Sequence, residues 1–189
     1  MKEPSLATTP FKLTDAEQFF ELTKDSEIKQ EYPNMNFENI EEAKGYLEHQ
    51  IDITQDSSVG FFKAIRIVFN GLENNYDETN NILIGFISVN KSGVSDQLFS
   101  GGFEQTLAYG IKSRYRGKGL MTLALGMTLE AMRQDGYNLI AALVKKENKP
   151  SIRVLEKSGF NLVNNFPLNH LYVKRITMNE NEFNIIFHL

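Results

Sequence analysis

Cysteine is absent from all 189 residues. That absence removes disulfides, thiolate metal sites and a cysteine acyl carrier. There is no basic excess either. Lys and Arg number 20 against 24 Asp and Glu, giving a net charge of -4 and a pI near 5.5. That balance argues against general nucleic-acid binding, which wants a basic face, although a local basic patch remains open. No apolar run approaches membrane-spanning length. The first residues, Met1-Lys2-Glu3-Pro4-Ser5, lack the apolar segment of a secretory leader. Internal repeats, low-complexity tracts and domain linkers are also missing. With 41% hydrophobic and 23% charged residues, the composition is ordinary for a globular protein with a real core. The expectation is one domain over 1–189, soluble and cytoplasmic, with no nucleic-acid, membrane or metal partner.

The positive content begins with Phe11-Lys12-Leu13, which reads as a short first strand. Thr14 then caps a helix, with Glu17 completing a capping box. Residues 24–36 are polar and contain Tyr32-Pro33, so they read as loop or one broken turn. A second helix runs from about Asn39 to Ile53, with Glu42 serving the Asn39 cap. Gly60–Phe69 and Ile82–Val89 have strand composition, and Gly85 inside the second suggests a bulge or a close neighbour. Residues 70–81 read as an exposed hairpin loop. Gln105–Ile111 is a strand. From Leu120 a helix places Leu120, Leu123, Ala124, Met127 and Ala131 on one face, and Gly136 stops it. Leu139–Val144 is uniformly apolar, as a strand buried on both faces is. A helix over 149–157 ends at Gly159, and strands follow at 160–163, 171–177 and 183–187.

Between the strand ending at Ile111 and the helix starting at Leu120 lies Arg114-Tyr115-Arg116-Gly117-Lys118-Gly119. Strand, glycine-spaced basic turn, helix start is an arrangement that holds a phosphate group. The glycines let backbone approach an anion, and the first helical N–H groups and the dipole face it. Arg114, Arg116 and Lys118 add full charges. Two better-known phosphate loops do not fit. The P-loop requires four residues between its glycines and Lys-Ser or Lys-Thr after them, whereas Leu120 follows here. The dinucleotide fingerprint requires a third glycine early in its domain, and position 122 is Thr122.

The Arg/Gln-x-x-Gly-x-Gly pattern resembles the acyl-CoA pyrophosphate loop of the GCN5-related N-acetyltransferase (GNAT) superfamily. The run Asn148-Lys149-Pro150-Ser151-Ile152-Arg153-Val154-Leu155-Glu156-Lys157-Ser158-Gly159-Phe160 resembles a segment of its ribosomal-protein N-terminal acetyltransferase (RimJ/RimL-type) branch. The close resemblance covers about residues 105–163. It implies an α+β fold, a mixed, mostly antiparallel sheet of about seven strands flanked by about four helices. The strands on either side of the phosphate-loop helix would form a splayed parallel pair.

The activity implied is transfer of an acetyl group from acetyl-CoA to a primary amine, on a protein N-terminus or a small molecule. The resemblance puts cofactor contacts on Tyr109, Gly110, Ile111, Arg114, Arg116, Gly117, Lys118, Gly119, Leu120, Met121, Asn148 and Ser151. Backbone N–H groups of Arg116 through Met121 would hold the pyrophosphate, and one near Ile111 the thioester carbonyl. Asn148 would touch the pantetheine arm, and Ser151 would face the sulfur as general acid. Asn and Ser are also favoured helix caps, which accounts for both residues without any chemistry.

The general base is less defined. Thr106 stands where the family often has Glu. Glu104, two residues earlier on the same strand parity, would relay a proton through water, or simply be a surface carboxylate. His49, His170 and His188 qualify only by titrating near neutrality. A protein N-terminal amine, with pKa ~7.7–8.0, is itself partly neutral. Tyr32, Tyr46, Phe37, Glu38, Glu41 and Glu42 fall in the segment that lines the family's acceptor side, where an acidic rim would attract a cationic amine. A non-catalytic acyl-CoA-binding sensor and a nucleotide-phosphate binder are the competing readings. The oligomeric state, monomer or homodimer, is left open.

Overall fold

The computed structural model describes residues 4–55, 60–69, 81–91 and 105–176. Strand β1 is Ser5–Pro10, followed by a 3-10 turn at Leu13–Asp15, helix α1 (Ala16–Thr23) and helix α2 (Ser26–Glu31). A second 3-10 turn, Pro33–Met35, leads to α3 (Ile40–Ile53). Then come β2 (Gly60–Val68), β3 (Asn81–Lys91), β4 (Gln105–Ile111), α4 (Leu120–Gln134), β5 (Leu139–Lys145), α5 (Lys149–Lys157), β6 (Asn161–Asn165) and β7 (Asn169–Arg175). Seven strands form one mixed sheet in the order β1-β2-β3-β4-β5-β7-β6. The β4–β5 pair is parallel, in register at Gln105 with Ile140 and Thr106 with Ala141. The β1–β2, β5–β7 and β6–β7 pairs are antiparallel. This is the mixed α+β architecture expected, with a parallel pair at the strands that flank α4.

The chain divides into two compact units, Met1–Ser88 with Tyr109–Ala124, and Val89–Ala108 with Leu125–Leu189. In the first, Phe11, Phe19, Phe62 and Phe86 form a buried aromatic core joined by Phe37 and Tyr46. Phe11 stacks on Phe62 at 4.6 Å, and Phe19 meets Phe62 edge-on at 5.9 Å. Each fully buried phenylalanine contributes about 1.5–3 kcal/mol through its removal from water. Beside this core Arg66 donates to Asp15 at 2.5 Å and to Thr9 at 2.9 Å, and the same Asp15 oxygen accepts the Lys12 N–H at 2.8 Å. In the second unit Ala141, Leu171 and Val173 make the centre of a smaller cluster.

Several expectations need correction. The first strand is Ser5–Pro10, not Phe11–Leu13. Phe11 is a core residue, and the N-terminal turn is closed by Asp15 rather than capped by Thr14. The polar stretch 24–36 contains α2, because Asp25 caps it by accepting from the Glu27 and Ile28 N–H groups. Only Ile28 of that helix is buried, so no apolar periodicity marks it. On α4 the buried residues include Met121, Ala124, Leu125, Leu129 and Met132, while Leu123 (55% exposed) and Met127 (39%) face outward. In β5 Leu143 is exposed. Among the described residues the last strands are β6 and β7, where strands were expected at 160–163 and 171–177. The expected hairpin loop at 70–81 falls outside the described residues except for Asn81, which begins β3, and so do the expected strand at 183–187 and both Glu104 and His188. Gly85 is the close neighbour it was expected to be: a Cβ there would stand 2.4 Å from the Gly110 carbonyl oxygen.

Candidate active site

The basic glycine loop leaves the end of β4 through a 3-10 turn at Ser113–Tyr115. Gly117 and Gly119 adopt φ of +73° and +75°, a region that costs an L-residue roughly 1–2 kcal/mol. A Cβ at either position meets no atom within 4 Å, so the glycines are required by backbone conformation and not by crowding. Leu123 N–H donates to the Gly119 carbonyl at 3.0 Å. The N–H groups of Leu120, Met121 and Thr122 therefore precede the first intrahelical bond of α4. By helix geometry they point back from the N-terminal end of α4, at the positive end of its dipole, the arrangement an anion requires.

The three cations of the loop are placed differently. Arg114 and Lys118 are exposed, at 4.9 Å and 5.8 Å from the centre of the Tyr115 ring. Arg116 turns back into the unit. Its Nε donates to the Ile111 carbonyl at 3.1 Å, and its guanidinium pairs with Glu27. Burial holds its pKa below the usual arginine value, against the pull of Asp25. Its side chain thus anchors the loop, and its backbone N–H is also engaged, donating to the Ser113 carbonyl at 3.1 Å, so the N–H groups left for an anion begin after Arg116. Half-buried Lys112 is lowered by burial and then by the Arg114 charge, with Glu21 and Asp25 acting the other way.

Upstream, β4 brings Tyr109, Gly110 and Ile111 to the same unit. The Tyr32 hydroxyl donates to the Tyr109 carbonyl at 2.8 Å and accepts its N–H at 3.1 Å. Asp25 accepts from Ser113 twice, from N–H and from the hydroxyl, both at 2.8 Å. Sequence reasoning assigned Tyr32 to an acceptor side and missed Asp25 and Glu27. The one available signal was Asp25 as a helix cap, and the partners it meets are 88 residues away.

In the second unit Asn148 caps α5. Its side-chain oxygen accepts the Ser151 N–H at 3.1 Å. Ser151 is half-buried in the first turn, behind Pro150. Thr106 is half-buried opposite Ala141 in β5. His49 is exposed, and His170 packs edge-on against Tyr172 at 6.2 Å. The Tyr172 hydroxyl donates to Glu156 at 3.0 Å, and burial followed by that carboxylate raises its pKa.

Of the acceptor-side residues, Phe37, Glu38 and Glu41 line an open groove of about 840 Å³, together with Phe20, Lys24 and Ile40. Glu42 is spent on the α3 cap, accepting the Glu38 N–H at 3.0 Å. Tyr46 packs within the aromatic core, stacked on Phe19 at 6.0 Å. Among the described residues no cluster of three or more His, Asp or Glu could hold a metal, and no helix is long and apolar enough to cross a membrane.

A family model for the acetyltransferase (GNAT) domain matches residues 6–161. No curated protein matches the sequence. Among solved structures, the fold is similar to a GNAT-family acetyltransferase from Bacillus anthracis, at 20% identity and TM-score 0.67, over 92% of this chain and 97% of that one. It is similar to ribosomal-protein-S5-alanine acetyltransferase from Vibrio fischeri, at 17% identity and TM-score 0.67, over 94% and 97%. It is also similar to PaiA N-acetyltransferase from Thermoplasma acidophilum in complex with coenzyme A, at 20% and 0.63, over 90% and 99%.

Proposed function

The chain belongs to the GNAT acetyltransferase family, an acetyl-CoA-dependent N-acetyltransferase in its general activity, and on that premise we propose that it acetylates a primary amine on a peptide N-terminus or a small molecule. The observation that carries the donor half is the loop at 117–121. Two left-handed glycines open α4 and leave its first N–H groups ahead of the first intrahelical bond, where a pyrophosphate would bind. The similarity to the Vibrio fischeri ribosomal-protein-S5-alanine acetyltransferase supports the RimJ/RimL-type branch and a peptide acceptor.

Transfer is direct. The neutral amine attacks the thioester carbon, the C–N bond forms, and the C–S bond breaks as the tetrahedral intermediate collapses. A backbone N–H near Ile111 stabilises the oxyanion. Tyr109 and Gly110 are assigned to the pantetheine arm. Ser151 relays a proton to the leaving thiolate and regains one from solvent; with a thiol pKa of ~8.5 the leaving group needs little assistance near neutrality. The amine proton leaves through Glu104 by way of water, or directly to solvent. Arg114 and Lys118 add charge at the phosphates, which salt screens. The protein acts as a single domain in the cytoplasm, as monomer or homodimer.

A panel of amines and N-terminal peptides, assayed for free thiol released from acetyl-CoA, tests this reading. Release stimulated by one acceptor class identifies the substrate. Acetyl-CoA binding without release from any amine assigns the chain to acyl-CoA sensing instead, and no thermal shift at millimolar acetyl-CoA removes both.

A further inference from the structure

Two side chains bordering α2 grip the strand and turn that lead into the glycine loop. At the C-terminal end, the Tyr32 hydroxyl satisfies both the N–H and the carbonyl of Tyr109, at 3.1 Å and 2.8 Å. A hydroxyl can do this because it donates and accepts at once. The Tyr32 ring is fixed edge-on to Phe86 at 5.1 Å, and Phe86 in turn lies against Gly110, where a Cβ would stand 2.7 Å from its ring. At the N-terminal end, the Asp25 carboxylate caps α2 and also binds Ser113 through N–H and hydroxyl, both at 2.8 Å. Neither residue is exposed, and neither has a task in the acyl-transfer chemistry.

We propose that Tyr32 and Asp25 are positioning residues for acetyl-CoA: Tyr32 sets the β4 backbone beside Gly110 and Ile111, and Asp25 sets the turn that aims the glycine loop. The inference rests on the acetyl-CoA reading above. The two grips have separable consequences. Tyr32 acts two residues before Ile111, the backbone assigned to the thioester, where a displacement of about 1 Å costs on the order of 100-fold in rate. Asp25 acts three residues before Arg116, on the approach to the pyrophosphate N–H groups. Tyr32 therefore governs turnover, and Asp25 governs donor affinity.

The test compares the parent with Tyr32→Phe and Asp25→Asn. Acetyl-CoA affinity is read by calorimetry, turnover by thiol release with the amine the parent uses best, and the melting temperature without ligand. Tyr32→Phe is expected to lower kcat at least about tenfold while the acetyl-CoA Kd stays within about threefold. Asp25→Asn is expected to raise that Kd at least about fivefold with kcat at saturation within about threefold. Variants that only melt earlier, with Kd and kcat unchanged, overturn the inference and leave both residues purely structural. If Asp25→Asn does not fold, Ser113→Ala decides: it loses one bond of the grip and is expected to weaken acetyl-CoA at least about twofold, and an unchanged Kd overturns the Asp25 half. A parent that does not bind acetyl-CoA overturns the functional reading and this inference together. A parent that binds, with unaltered variants, overturns the inference alone.

Discussion

Replacing Gly119 by valine separates a phosphate-binding loop from an ordinary turn. The backbone at 119 sits at φ +75°, so any L-residue there costs roughly 1–2 kcal/mol, and a β-branched one resists most. A Cβ at 119 meets nothing within 4 Å, so no steric clash adds to that strain. The same reasoning applies to Gly136, which ends α4 at φ +81° with equally open surroundings. Gly119→Val and Gly136→Val are thus expected to lose similar stability, about 1–2 kcal/mol each in urea titrations. They diverge in ligand binding. A valine side chain at 119 stands between the α4 N–H groups and an incoming pyrophosphate, whereas Gly136 lies at the far end of the helix. Gly119→Val is expected to weaken acetyl-CoA at least tenfold, about 1.4 kcal/mol or more, and Gly136→Val to leave it unchanged. Calorimetry on variants shown to be folded by circular dichroism reads the difference. If Gly119→Val binds acetyl-CoA like the parent, the loop does not cradle phosphate and the reading fails.

Lys118→Ala is expected to weaken acetyl-CoA less than Gly119→Val, with the deficit shrinking as salt rises, since the ammonium is exposed. Glu104→Gln is expected to lower turnover about tenfold or more at unchanged acetyl-CoA affinity, and full turnover would leave deprotonation to the substrate amine. Asp15→Ala strands the buried Arg66 guanidinium and is expected to cost about 3–5 kcal/mol in urea unfolding; a loss under about 1 kcal/mol would show the pair is dispensable. Burial, partly opposed by the bond to Tyr109, pushes the Tyr32 hydroxyl from 10.0 up to about 12. The folded state holds that proton more tightly than the unfolded one, so its contribution is complete below about pH 10 and is lost as pH rises through about 12. Stability measured at about pH 9 and about pH 11 should therefore fall more in the parent than in Tyr32→Phe.

Much of the frame was legible locally. The Asn39 cap and α3, the strand Gln105–Ile111, the glycine-bounded start of α4 and the Asn148 cap of α5 follow from residues within one or two turns of each other. Caps, left-handed glycines and apolar periodicity are short-range effects, and a single chain segment displays them. The glycine loop is of this kind: two glycines and a helix start determine its backbone, whatever packs around it. The face of α4 was not legible, because its apolar residues surround the helix and packing selected Met121, Leu125, Leu129 and Met132 over Leu123 and Met127. Nor was α2, polar but for Ile28, whose flanking residues gain their place through distant partners. Tyr32 meets Tyr109 across 77 positions, and Asp25 meets Ser113 across 88. Arg116 read as a phosphate ligand because its charge is visible in the sequence, while the carboxylate of Glu27 that claims it is brought near only by folding. The sequence by itself determined the backbone of the glycine loop and the start of α4, since backbone dihedrals and helix ends are local. Which of the loop's charges stay exposed, and what holds the strand behind it, was decided by the tertiary structure, because those contacts join segments that only a closed fold makes neighbours.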